Sequence, residues 1–348
     1  GYIDVTLKPK YDAQQDIYMN MLAELEAGVA QISGNSSLGN SDIIYGGDGA
    51  KWKALGNSMM LRLAMRMTKA DAASAQAWAV KAINGGIIAS NAGNAVIAHT
   101  DGPEGINKNG HGEVFDVDSQ MRMSATFGAH LAGDPRLSVL FAPGSSNAAG
   151  EIIGMPNGRT SDDFTGADGQ TYAGIADRHI YAQTHPALRK KDVPMVLLTT
   201  AEVHFLIGEA IIRGWVSGDA KTYYDAGVTA AMTMLADFYP DSTPIAQADI
   251  DAFLAGPGAY DSSKGWEMLM NEYWKATFLN EYEAYANWRR TGYPTLSPTQ
   301  HPNSVSGNQI MRRMIYPGGE SATNAENYAA AVARQGADTW MTRMWWDK

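Results

Sequence analysis

Residues 199–235 read TTAEVHFLIGEAIIRGWVSGDAKTYYDAGVTAAMTML and contain two apolar repeats of helical period. Between the repeats, Gly218 and Asp219 supply a turn and an N-cap. Small residues on the facing sides, Ala210 and Gly227 among them, allow two helix axes to approach closely. The pattern predicts a helical hairpin of the tetratricopeptide type, although the chain lacks the clean period of roughly 34 residues of such repeats. The repeats comprise Val203, Leu206, Ala210, Gly214, Tyr224, Val228, Ala231 and Leu235.

Composition excludes several classes of protein. The chain has 348 residues, of which 45% are apolar, so it can bury a large core. Its net charge of −10 disfavours nucleic acid as a partner. The absence of cysteine excludes disulfides, thiolate metal sites and cysteine nucleophiles. No segment approaches the run of about 18 apolar residues that a membrane-spanning helix needs.

The sequence predicts one domain, residues 1–348, with three parts that differ in composition and in predicted secondary structure. Residues 1–84 and 194–348 are predicted to be helical, and residues 85–193 form a lobe rich in Gly, Asn, Asp, Ser and Pro. We expect this lobe to carry the binding site, because loops held on a rigid scaffold commonly do so. Outside the hairpin, helices are predicted over residues 10–32, 50–68, 72–84, 119–132, 246–255, 264–290 and 324–334, and helical structure is expected to resume at Pro194.

Motifs for catalysis are missing. Neither GxxxxGK[ST] nor GxGxxG fits the glycines that precede residue 50, and there is no GxSxG elbow. The seven histidines are scattered without an HExxH or HxH pair, so a catalytic zinc site is disfavoured. His179 and His185 form the closest pair, and a structural role is favoured for both.

Acidic residues of the loops leave one catalytic alternative open. Two distant carboxylates can meet in space and act as a glycoside hydrolase pair. Solvation or weak Ca²⁺ binding is the commoner role for such loop carboxylates. We therefore expect no catalytic residue, no metal site and no cofactor. The acidic pairs concerned are Asp116 with Asp118, and Asp162 with Asp163.

Aromatic residues fall into two groups. Trp274, Phe278 and Tyr282 recur every four residues, which favours a buried helix face over a sugar-stacking platform. Aromatic residues of the loop lobe have no such explanation, and polar side chains lie among them. A ring with hydrogen-bonding groups around it suits a carbohydrate, although the pattern slightly favours a small satellite core under the loops. The predicted ligand-binding residues are Phe164, Asp168, Tyr172, Arg178, His179 and Tyr181.

Long strings of this sequence resemble one family, the SusD/RagB outer-membrane nutrient-binding lipoproteins of Bacteroidetes, and its SusD-like 2 branch is the nearest match. They cover nearly the whole chain in the expected order. Besides the hairpin they are LKPKYDAQQDIYMNMLAELEAG (7–28), DIIYGGDGAKWKALGNSMMLRLAMRM (42–67), GDPRL (133–137), FLNEYEAYANWRRTGYP (278–294) and RRMIYPGGESATNAENYAAAVARQGADTWMTRMWWD (312–347).

The resemblance implies a mainly α fold, a right-handed superhelix of tetratricopeptide-like hairpins that supports an irregular loop-rich lobe. It implies a surface-exposed lipoprotein of the cell outer membrane that captures oligosaccharide for a TonB-dependent transporter. Some relatives serve peptides instead. Binding residues vary across the family with the ligand, so none transfers by motif.

The sequence departs from the family at its start. Family members carry a lipidated cysteine and further N-terminal helices, and neither is found here. We therefore expect the chain to be N-terminally incomplete, with membrane association only through a lipid anchor that this chain lacks. The leading hypothesis is non-catalytic glycan binding. A peptide-binding importer subunit is the alternative, followed by a glycoside hydrolase.

Overall fold

The fold is mainly helical, with a lobe of loops and very short strands in the middle of the chain. The computed structural model describes residues 8–102, 107–117 and 121–348. The helices are α1 (Gln14–Gln31), α2 (Gly49–Arg66), α3 (Ala72–Asn84), α4 (Gly110–Val117), α5 (Ala125–His130), α6 (Arg136–Leu140), α7 (Thr200–Ile212), α8 (Ala220–Phe238), α9 (Gln247–Ala255), α10 (Gly265–Ala276), α11 (Glu281–Thr291), α12 (Glu320–Thr323) and α13 (Ala325–Gln335).

Within the described residues, six strands form three antiparallel pairs. β1 (Ala95–Ile97) pairs with β6 (Met195–Leu198), β2 (Phe141–Ala142) with β5 (Gln183–Thr184), and β3 (Phe164–Thr165) with β4 (Thr171–Tyr172). The first pair joins the two ends of the loop-rich lobe to each other, next to the helices on either side. The predicted fold class, helical hairpins with a loop-rich lobe, is therefore confirmed.

The predicted hairpin is formed by α7 and α8, and side-chain caps determine the residue at which each helix begins. Thr199 and Glu202 form a reciprocal capping box at α7, and the Asp219 carboxylate accepts backbone N–H groups at the start of α8. The two helices pack so closely that a Cβ on Gly227 would lie 2.4 Å from Cε1 of Phe205. Glycine at this position is therefore a condition of the packing.

The loop before α2 is held by one carboxylate. Asp42 accepts the indole N–H of Trp52 at 2.6 Å and the backbone N–H of Gly47 at 2.7 Å. The Trp52 bond and the backbone bonds lower the pKa of Asp42 to about 2, against the opposing effect of desolvation. Asp48 then caps α2 through two backbone N–H groups. These contacts hold the loop against the start of α2.

Buried ion pairs join the helices that are distant in sequence. Arg66 of α2 donates to both carboxylate oxygens of Glu283 in α11, at 2.7 and 2.8 Å. Arg62, one turn earlier, lies 2.7 Å from Glu202, and the Tyr273 hydroxyl of α10 donates to Glu283 at 2.8 Å. Desolvation raises the pKa of Glu283, but the two arginines outweigh it and the pKa falls to about 2.

Two further buried charge clusters join elements of the scaffold. Arg290 near the end of α11 binds both oxygens of Glu209 in α7, at 2.6 and 2.7 Å. Arg136 at the start of α6 contacts Asp134 and, at 2.7 Å, Glu272 of α10. Glu202 and Glu209 of the hairpin thus join α7 to other helices through buried ion pairs.

Three predicted helices differ from the structure. The single helix predicted over 264–290 is instead two helices. The backbone leaves the helical conformation between α10 and α11, where Leu279 has a φ of 65°. This interruption places the three regularly spaced aromatic residues in different surroundings. Trp274 and Phe278 pack with Phe127, whereas Tyr282 is 90% exposed. A single buried face from Trp274 to Tyr282 was therefore a wrong interpretation.

The other differences lie around the loop lobe. Helix 119–132 shortens to α5, and residues 118–120 lie outside the described part of the chain. Residues 195–198 form β6 instead of a helix, because this segment finds an antiparallel partner in β1. Helix α4 was not predicted. Among the described residues, no helix is long and apolar enough to cross a bilayer.

Candidate ligand-binding site

The centre of the candidate site is the hairpin of β3 and β4. Gly169 adopts a φ of +79° in its turn, a conformation that favours glycine. Asp168 accepts the backbone N–H of Gln170 at 3.1 Å and the hydroxyl of Tyr172 at 2.6 Å. The Tyr172 hydrogen bond lowers the pKa of the Asp168 carboxyl, and the same bond raises the pKa of Tyr172. The carboxylate therefore fixes the tyrosine to its own turn.

Aromatic rings and one arginine pack together on this hairpin. The rings of Phe164 and Tyr172 stack with centroids 5.4 Å apart and planes 23° apart. The guanidinium carbon of Arg159 lies 4.2 Å from the Tyr172 centroid, and the His301 ring lies 5.2 Å from that of Phe164. Phe164, Tyr172 and Arg159 are only partly buried. The cluster is thus small and remains accessible at its edge.

Close backbone approach holds the hairpin in position. A Cβ on Gly166 would lie 2.4 Å from Cε2 of Tyr172 and 2.7 Å from an Asp168 oxygen. The backbone N–H of Ala167 donates to the carbonyl of Gln300 at 2.9 Å. The hairpin is therefore docked on a segment that lies beyond α11 in the sequence.

A polar groove of about 380 Å³ adjoins this cluster, because Arg159 belongs to both. Arg178 and His179 lie in a short 3-10 turn, residues 178–180, that forms part of its wall. Arg122 donates from Nε to the carbonyl of Arg178 and from Nη2 to Nδ1 of His179, both at 2.9 Å. The lining residues are Met155, Arg159, Thr160, Ser161, Ile175, Ala176, Asp177, Arg178 and His179.

The groove is rich in hydrogen-bond donors. Nη1 of Arg159 is buried without a hydrogen-bond partner among the described residues. Because Nδ1 of His179 accepts from Arg122, a neutral His179 carries its proton on Nε2 and donates from there. Asp177 lines the groove, but its Oδ1 accepts the backbone N–H of His179 at 2.8 Å. Such a surface suits a ligand with many oxygen acceptors.

Five of the six predicted site residues fall in these two adjoining features. Phe164, Asp168 and Tyr172 share the hairpin, and Arg178 and His179 line the groove. Tyr181 is partly buried after the 3-10 turn and does not line the groove.

Arg159 and His301 were not among the predicted residues. Arg159 lies close to the hairpin in sequence, but it belongs to no motif. His301 reaches Phe164 only through the fold. Neither position carries a sequence signal that distinguishes it from other polar loop residues.

Of the two acidic pairs of the loops, the structure describes the side chains of one, Asp162 with Asp163. Asp162 and Asp163 are exposed, and Asp163 accepts the backbone N–H of Gly174 at 2.8 Å, which is a turn contact. Asp118 and the side chain of Asp116 lie outside what the structure describes. Within the described ranges, no group of three or more His, Asp or Glu residues is placed to hold a metal ion.

A second cavity, of about 790 Å³, lies between α1 and α2, with walls that include Met21, Leu25, Leu55 and Met59. Its lining is almost entirely aliphatic and aromatic. A polar ligand would lose hydrogen bonds to water there without replacing them, so this cavity is a poor site for a sugar.

Comparison with known proteins gives a consistent result. The family model SusD-like 2, described as starch-binding and associating with the outer membrane, matches residues 2–317. A solved chitin-binding protein is 32% identical with a TM-score of 0.86, and the match covers 98% of this chain and 74% of that one.

Two further solved structures are similar at 26% identity. A SusD-like protein of Bacteroidetes AC2a has a TM-score of 0.83, with 98% of this chain and 78% of that one covered. A chitin-binding SusD homologue of Flavobacterium johnsoniae has a TM-score of 0.78, with 100% and 75% covered. No curated protein matches the chain.

Proposed function

Because the chain belongs to the SusD-like family, described as starch-binding and associating with the outer membrane, we propose that it binds an oligosaccharide or polysaccharide without transforming it. The ligand would be held at the β3–β4 hairpin and in the adjoining groove. Two of the similar solved structures are named chitin-binding, which supports a glycan over other ligands.

One observation supports this placement of the site: the partly exposed rings of Phe164 and Tyr172 stack beside the groove, and Arg159 both packs on the Tyr172 ring and lines the groove. Sugars bind proteins through CH groups against aromatic rings and through hydroxyls paired with planar polar side chains. The hairpin supplies the rings, and the groove supplies the donors.

The same family membership supports the cellular role. We propose that the mature protein is a surface-exposed lipoprotein of the outer membrane. There it would deliver its glycan to a TonB-dependent transporter for import. The scaffold of buried ion pairs would hold the loop lobe rigid on that surface, so that little conformational freedom is lost when the ligand binds.

Affinity electrophoresis through gels that contain one polysaccharide each tests the binding function. We expect retardation by at least one glycan of the panel, with chitin oligosaccharides as competitors. Failure of every glycan, combined with tight binding to a peptide mixture, would favour the peptide-binding alternative. Release of reducing sugar that is lost on Asp162→Asn would instead indicate a glycoside hydrolase.

A further inference from the structure

We propose that the groove beside the hairpin accepts the anionic group of an acidic glycan, either the carboxylate of a uronic acid or a sulfate ester. This inference rests on the proposed glycan-binding function and names the class of glycan. The feature that supports it is a set of cationic donors without acidic partners, formed by Arg159 and Arg178 in the wall of the groove.

Charge in the groove is opposite to that of the whole protein. The chain carries a net charge of −10, yet two guanidinium groups and one carboxylate, that of Asp177, line this groove. In the described part of the chain, neither Arg159 nor Arg178 forms an ion pair. Elsewhere, by contrast, Arg62, Arg66, Arg136 and Arg290 all pair with carboxylates.

The two arginines are positioned differently, and both positions suit an anion. Arg159 is held by its contact with the Tyr172 ring, and its Nη1 is buried without a partner among the residues that are described. Arg178 is exposed and extends from a turn whose backbone carbonyl is held by Arg122. A carboxylate or sulfate presents several oxygens that match the planar fork of a guanidinium.

A neutral sugar would bind less tightly in this groove than an acidic one. Sugar hydroxyls accept single hydrogen bonds, but they bring no charge to balance a guanidinium that loses water on binding. A charged acceptor forms shorter and stronger bonds, roughly twice as strong as neutral ones. The rings of Phe164 and Tyr172 at the edge of the groove favour a sugar over a peptide as the carrier of the anionic group.

The test compares three oligosaccharides of equal length by isothermal titration calorimetry at low salt: a neutral chitin oligomer, an oligogalacturonate and a sulfated oligomer. We expect an acidic oligomer to bind at least about tenfold more tightly than the neutral one, and the oligomer that does so identifies carboxylate or sulfate as the group. Raising the salt concentration should weaken acidic binding far more than neutral binding.

Single substitutions test which residues cause the preference for acidic oligomers. Arg178→Gln, at an exposed position, should weaken acidic binding about tenfold and neutral binding by a clearly smaller factor, so that the preference for the acidic oligomer falls. Arg159→Gln should do the same if circular dichroism shows that it folds. Lys53→Gln removes one exposed cation of α2 outside the groove and should change neither affinity.

Two outcomes would overturn the inference and leave glycan binding intact: equal or tighter binding of the neutral oligomer, or acidic binding that Arg178→Gln does not weaken. Binding of an acidic peptide in preference to every glycan would overturn both proposals. Absence of binding to all three oligomers and to the wider glycan panel would overturn the proposed function itself.

Discussion

The guanidinium of Arg159 lies 4.2 Å from the centre of the Tyr172 ring, whose hydroxyl donates at 2.6 Å to Asp168. One residue thereby connects the two features of the candidate site, because Arg159 lines the groove and holds the hairpin ring. Contacts between a cation and a ring are worth about 0.5–1 kcal/mol at exposed sites. The arrangement orients the arginine before any ligand arrives.

The bond between Tyr172 and Asp168 should be visible in a titration. The ionised carboxylate accepts the bond, so the pKa of Asp168 lies below its ordinary value, and the bond is lost as pH falls through that lowered pKa. Tyr172→Phe should raise the pKa of Asp168 towards the value of an ordinary aspartate. Carbon-detected NMR of the carboxyl group measures this shift. An unchanged midpoint in the Phe variant would contradict the assigned contact.

Gly166→Ala should disturb the site without unfolding the scaffold. The new Cβ would lie 2.4 Å from the Tyr172 ring, so the ring must move away from its position beside the groove. We expect glycan affinity to fall about tenfold, which corresponds to about 1.4 kcal/mol.

Gly28→Ala is the matched control, because a Cβ there meets nothing within 4 Å. It should keep full affinity and stabilise α1 by about 0.5–1 kcal/mol. Equal affinities of the two variants, measured by calorimetry, would contradict the geometry of the hairpin.

Glu283→Gln should destabilise the protein strongly. The substitution leaves Arg66 buried with no counter-charge from α11, and breaking a buried pair in this way costs about 3–5 kcal/mol. Urea unfolding followed by circular dichroism measures the loss. Adding Arg66→Met should recover part of it, since no unpaired charge then remains. A loss below about 1 kcal/mol would show that the pair does not hold α2 to α11.

Low pH should destabilise the native protein because the Glu283 carboxylate becomes protonated. The pKa of Glu283 is about 2 in the folded state, against 4.5 for the ordinary group. Because the folded pKa is the lower one, its contribution to stability is complete above pH 4.5 and is lost as pH falls towards 2. Urea midpoints measured between pH 7 and pH 3 should therefore fall, and they should fall less steeply in Glu283→Gln.

Local signals made much of the fold predictable. The α7–α8 hairpin depends on caps and turn residues that lie within its own sequence, such as Thr199, Asp219 and Gly227. Sequence could not indicate that Arg66 meets Glu283, because their contact spans 217 residues and charges carry no periodic pattern. The break at Leu279 was missed because the aromatic spacing continues through it.

The candidate site was likewise predictable only where its residues lie close together in the sequence. Phe164, Asp168 and Tyr172 belong to one short hairpin, so their proximity follows from a turn of a few residues. The contacts of Arg159 and His301 depend on how the lobe folds back on itself, which no local pattern encodes. The division of the chain into three parts stays a prediction, as does the binding role of each site residue.

Tyr172→Ala, compared with Tyr282→Ala, tests the central claim most directly. Both variants remove one accessible tyrosine, but Tyr172 belongs to the hairpin and Tyr282 to the surface of α11. Calorimetric titration with the glycan that retards the wild type should show binding abolished or weakened at least about tenfold in Tyr172→Ala and unchanged in Tyr282→Ala. Wild-type affinity in Tyr172→Ala, with thermal unfolding unchanged, would contradict the placement of the glycan site at this hairpin.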